Sequence, residues 1–165
     1  MSAAAYSLVP PEGISGWHPL VDRLWRYLHR NVAAGRLPDR AGFDPVDVPD
    51  LLARLWLLDV RHEPFDLVYR LCGTKETDSL ECDPTGRSFL DVHRERIASA
   101  PEILTRYRDM ARTGVATWRR GALAFRHRDR HKSVENLMVP MTHGGERVAI
   151  LMCFSLVFRI DGTMF

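Results

Sequence analysis

Apolar residues recur at Trp17, Leu20, Val21, Leu24, Trp25, Leu28 and Val32, in steps of three and four. That spacing lays them along one face of a helix, with Arg23, Arg26 and Arg30 on the other side and Gly35 as its stop. So bulky a stripe either covers the chain's own sheet or meets a second copy of the chain. Leu37 to Pro49 carries three prolines and no helical period, which predicts an extended crossing segment. Pro49-Asp50-Leu51-Leu52 then starts a short helical turn on its proline. Leu55 to Val60 and Leu67 to Cys72 read as two strands joined by a turn at Glu63-Pro64. Alternation in the second strand puts Leu67, Tyr69 and Leu71 on one face.

Gly73 ends that strand, and Thr74 to Arg87 is polar, with a turn at Asp83-Pro84-Thr85-Gly86-Arg87. Phe89, Leu90 and Val92 anchor short helical pieces. Ser99 and Glu102 have the spacing of a capping box, and Leu104, Tyr107 and Ala111 continue a helical stripe to Gly114. Three apolar segments complete the chain: Thr117 to Arg126, Ser133 to Met141 and Arg147 to Phe158. Gly144-Gly145 supplies the last turn. From Val148 to Phe158 nearly every position is apolar, so this strand is expected to be covered on both faces. Helix, two strands, short helices, a longer helix and three strands make an antiparallel α+β layer structure.

Composition adds limits. The 165 residues suit one domain, and 45% hydrophobic with 27% charged residues is ordinary globular usage. A net charge of +2 implies neither nucleic acid nor an anionic membrane. No apolar run approaches the ~20 residues that span a bilayer, and the N-terminus lacks the basic and apolar regions of a secretory signal. Cys72, Cys82 and Cys153 are odd in number and lie in or near apolar segments, which fits a reduced, cytoplasmic protein. Residues 1–14 read as a flexible lead-in, 15–160 as the single domain and 161–165 as a tail.

The resemblance of the chain rests on particular residues. These are Leu37-Pro38-Asp39-Arg40, Phe43-Asp44-Pro45, Val48-Pro49, Leu57-Leu58-Asp59-Val60, Tyr69-Arg70-Leu71-Cys72-Gly73-Thr74, Thr85-Gly86-Arg87 and Glu135 to Met141. In that order the chain resembles a PAS domain, and more narrowly the bacterial, mostly alphaproteobacterial, stand-alone PAS-like proteins. The resemblance implies a five-stranded antiparallel sheet with helices over one face, plus the N-terminal amphipathic helix. It also implies a cavity between sheet and helices, and a sensory or regulatory role rather than catalysis. In related domains that cavity holds haem, flavin, a small metabolite or nothing, so the cofactor stays open. The Asn-Cys-Arg-Phe signature of the flavin-photosensing branch is missing, and a covalent flavin adduct is not expected. With no kinase, cyclase or DNA-binding segment in the sequence, output is expected to pass through a partner protein.

The residues expected to line that cavity are Tyr69, Leu71, Phe89, Tyr107, Leu123, Phe125, Leu137, Val139, Leu151 and Cys153, an apolar set with a few polar anchors. The bland alternative is a packed core in which the tyrosine hydroxyls find backbone partners. A homodimer is expected through Trp17, Leu24, Trp25 and Leu28. His93 is the one histidine placed to ligate a haem, and reads instead as a surface or cap residue. His127 and His131 straddle a hairpin tip and read as solvated, not as metal ligands. The basic run from Arg126 to Lys132 reads as a charged tip that discourages edge pairing. No alternation of aromatic and basic residues supports base stacking, so nucleic acid is not an expected partner. Glu76, Asp78, Glu81 and Asp83 read as a solvated acidic run, with no histidine or serine spaced for a triad. Two other readings remain. One is an α+β cone enzyme with Glu135 as its acid or base, and Glu135 is then expected near the solvent. The other is an interaction scaffold with a filled core.

Overall fold

The computed structural model describes residues 6–95, 100–122 and 131–165. Strands β1 (Ser7–Leu8), β2 (Leu55–His62), β3 (Phe65–Cys72), β4 (Thr117–Ala122), β5 (His131–Met141) and β6 (Ile150–Arg159) form one sheet. Their order is β1-β4-β5-β6-β2-β3, and every pairing is antiparallel. Helix α1 (Pro19–His29) precedes the sheet core, while α2 (Thr74–Leu80), α3 (Phe89–His93) and α4 (Ala100–Thr113) join β3 to β4.

The expected order of elements is the observed one, with six strands where five were expected. The sixth is β1, drawn from the segment read as a flexible lead-in. Ser7 and Leu8 pair with Trp118 and Thr117, and the Val9 N–H donates to the Ala116 carbonyl at 2.9 Å. At the other end the Phe165 N–H donates to the Val157 carbonyl at 2.8 Å, folding the tail back on β6.

Helix α1 starts on Pro19, whose missing N–H costs nothing in the first turn. His18 caps it, its Nδ1 accepting from the Leu20 N–H at 3.2 Å. The apolar stripe covers the sheet. Val21, Leu24, Trp25 and Leu28 pack with Trp17 against Leu137, Val139, Met141, Met152, Phe154 and Leu156. The four residues expected at a homodimer interface are therefore committed to this chain's own core. Leu24 is 0% exposed, and Trp17, Trp25 and Leu28 no more than 9%. The physical reason is the apolar face that β5 and β6 present on this side, which α1 covers. Burying each such side chain is worth roughly 1.5–3 kcal/mol.

The opposite face carries α2, α3 and α4. Trp56, Leu58, Leu67, Tyr69, Met138, Leu151 and Cys153 of the sheet meet Phe89, Val92, Leu104, Tyr107, Met110 and Ala111 of the helices. Strand β6 lies between the two layers and is buried from Ile150 to Val157, as its unbroken apolar run requires. Among the described residues no helix is long and apolar enough to cross a membrane.

Candidate functional site

The three helices pack on the β2, β3, β5 and β6 face, a layer we call the cup, and the polar groups within it define the candidate site. Phe89 and His93 are four apart on α3, so they share its inward face. Their rings lie 4.6 Å apart, and Phe89 meets Tyr107 of α4 edge-on at 5.4 Å. His93 is 1% exposed, and its Nε2 lies 2.6 Å from the Tyr69 hydroxyl. The expectation of a surface or cap histidine is thus corrected: the short α3 turns this ring inward. Iron ligation by that nitrogen would have to displace the Tyr69 bond. Trp56 stacks near Tyr69 at 5.9 Å, and its indole N–H donates to Ser155 Oγ at 3.1 Å.

Burial governs the electrostatics of the cup. It raises the Tyr69 phenol well above its ordinary value, and brings Tyr107 to about 12 against the nearby Arg106 charge. The Cys153 thiol is raised well above its usual value, again by burial first and Glu76 second. Cys72 is pushed to about 12 by burial, with Glu76 and Asp83 adding to it. Glu76, read from sequence as solvated, is half-buried. Burial raises it to about 8, with only Arg54 opposing. At neutral pH these thiols, phenols and carboxyl are protonated. Such a set makes hydrogen bonds in its protonated form.

Of the expected lining, Tyr69, Phe89, Tyr107, Leu151 and Cys153 come together here. Leu123 and Phe125 lie outside the described residues, as do Arg126 to Arg130 of the basic run. Leu71, Leu137 and Val139 are elsewhere, and the register explains why. The β2–β3 pairing shifts at Leu57 and Leu58, which face Leu71 and Tyr69, so Arg70 is an extra residue. A bulge of this kind reverses the facing of the residues beyond it. Leu71 becomes 46% exposed, and Cys72 packs against the cup in its place. On β5 the residue opposite Cys153 is Met138, while Leu137 is opposite Phe154. Opposed residues share a face, so Met138 lines the cup and Leu137 and Val139 pack under α1.

Glu135 follows the same parity to the α1 side and is 0% exposed, which corrects its expected place near solvent. Its Oε1 accepts the His18 backbone N–H at 2.7 Å and the Trp118 indole N–H at 3.1 Å. Its Oε2 accepts Arg120 Nε at 3.0 Å and Nη2 at 2.7 Å. Both oxygens are engaged, on the face away from the cup, so Glu135 is a pin for the start of α1 and not an acid or base for the cup.

Two clefts flank these layers. One of about 670 Å³ opens at the end of β3 and α2, lined by Cys72, Thr77, Asp78, Cys82 and Asp83. Another of about 910 Å³ lies beside Trp25, His29, Leu37 and Pro140 on the α1 side. Among the described residues no group of three or more histidine, cysteine or acidic side chains is placed to hold a metal ion.

A family model described as PAS domain matches residues 17–154. A search of curated proteins found no match. Among solved structures, one described as an RNA-binding Light-Oxygen-Voltage receptor is similar at TM-score 0.50 and 16% sequence identity. The alignment covers 93% of this chain and 38% of that one, and at this identity the likeness bears on the fold alone.

Proposed function

The chain belongs to the PAS domain family, and from that premise we propose that it is a sensory domain whose helical cup binds a small molecule and whose state is read by a partner protein. The observation that carries this reading is the gathering of polar atoms in one apolar cup. The Tyr69 hydroxyl, the His93 ring, the Tyr107 hydroxyl and the Cys153 thiol all point into the layer between α2–α4 and the sheet. Polar groups in a core built for packing alone cost free energy unless paired, whereas a ligand site uses a few of them to orient its guest. Residues on β5 alternate between the layers: Met138 faces the cup and Leu137 faces α1. Occupancy of the cup therefore shifts the population of sheet geometries on which α1 is seated.

The test compares protein purified under native conditions with protein unfolded, stripped by gel filtration and refolded. A ligand that binds only the folded state raises the melting temperature by mass action. The native preparation should melt higher, and adding back the low-molecular-weight fraction should restore the difference. Equal melting with no effect of that fraction would favour the scaffold with a filled core.

A further inference from the structure

Two arginines at the seam between α4 and β4 carry charges that no described carboxylate answers. On α4, the Arg106 guanidinium lies 4.8 Å from the Tyr6 ring centroid and 5.2 Å from that of Tyr107. Its Nε is buried without a hydrogen-bond partner. On β4, Arg119 is two residues beyond Thr117, whose hydroxyl donates to Met110 Sδ on α4 at 3.3 Å. Residues two apart on a strand share a face, so Arg119 stands on the α4 side. It is half-buried, and Nη1 donates to the Ala122 carbonyl at 3.0 Å. Burial lowers its pKa; the neighbouring Tyr107 opposes this and the Arg106 charge adds to it.

Two other arginines of the sheet are answered by carboxylates: Arg70 sits 2.6 Å from Asp59, and Arg120 sits 2.7 Å from Glu135. Among the described residues Arg106 and Arg119 have no such partner. A buried donor without an acceptor destabilises the fold, and more so when charged. Apolar side chains would hold the seam at lower cost. We infer that Arg106 and Arg119, with the Tyr107 hydroxyl, form the anion end of the cup, and that its ligand carries one oxyanion head, a carboxylate or a phosphate, on an apolar body. Guanidinium edges match both heads through paired N–H donors. The aromatic walls of Phe89 and Tyr69 suit the body. This inference rests on the cup being a ligand site.

Three probes of similar size separate the cases: benzoate, phenyl phosphate and the neutral benzamide, each followed by thermal shift and calorimetric titration. One of the anions should bind at least about tenfold more tightly than benzamide, and which one does so names the head group. Inorganic phosphate alone should give no comparable shift. Arg119→Met and Arg106→Met should lose the preference while melting no lower than the ligand-free wild type. Should the methionine variants misfold, Arg119→Gln, which retains a donor, should lose the preference in the folded state. Binding of all three probes alike, binding of none, or a preference that survives at Arg119→Gln overturns the inference. Benzamide binding without discrimination would do so while leaving the cup a ligand site; equal melting of native and stripped protein is what counts against the cup itself.

Discussion

The Tyr69 hydroxyl lies 2.6 Å from His93 Nε2, a buried bond that ties β3 to α3. Tyr69→Phe removes one partner and leaves the ring nitrogen without that bond in an apolar layer. Urea denaturation should show a loss of about 1–3 kcal/mol, with the denaturant slope unchanged. A variant as stable as the parent would mean that the bond contributes nothing to holding α3.

Glu76 predicts a pH dependence with a definite sign. Its folded pKa is raised from 4.5 to about 8, chiefly by burial. Between those values the folded chain holds a proton that the unfolded chain has released. The stability from this group is fully present below 4.5, shrinks as pH rises, and is gone above 8. His29, lowered by burial, acts in the opposite direction near its ordinary range, so the difference between variants is the clean observable. Glu76→Gln should gain on the wild type from pH 5 to pH 8, by about 2 kcal/mol, because partial exposure of the side chain softens the shift.

On the other face, Glu135→Ala removes the acceptor for the His18 N–H, the Trp118 indole and the Arg120 guanidinium together. Breaking a buried ion pair from one side costs roughly 3–5 kcal/mol; Arg120 is half in water, so about 3 is expected. Glu135→Gln keeps an acceptor and should cost less. Hydrogen exchange should then quicken at the start of α1 before it quickens in β6.

Leu24 distinguishes a helix that covers its own sheet from one that dimerises. Leu24→Ala should cost about 2–5 kcal/mol in urea whatever the protein concentration. Leu24→Asp should unfold the chain. A folded, monomeric Leu24→Asp variant would contradict the packing of α1.

Much of the fold could be read from periodicity, because α1 has one apolar face and β6 is apolar at nearly every position. The facing of β5 could not be read. Leu137, Met138 and Val139 are apolar at both parities, and only the register that sets Met138 against Cys153 shows which one enters the cup. Nor could alternation alone reveal the extra residue Arg70, which exchanges Leu71 for Cys72. His93 was accessible in principle, four residues after Phe89 on a helical turn, but α3 is too short to display a period. The residues that carry the family resemblance are largely architectural. Asp39 Oδ2 accepts from the Thr142 hydroxyl at 2.7 Å and the Gly144 N–H at 2.8 Å, clamping the crossing segment to the last hairpin. Gly73 passes so close to the Leu52 and Ala53 carbonyls that a Cβ would collide with them. Those signals locate the fold and say little about the guest.

The most direct measurement is native mass spectrometry of the freshly purified protein against its denatured mass. The account predicts an added mass on the native ion that disappears on denaturation and is reduced in Tyr69→Phe. A native mass equal to that of the bare chain, from a preparation whose melting does not change on stripping, would contradict a ligand-binding cup.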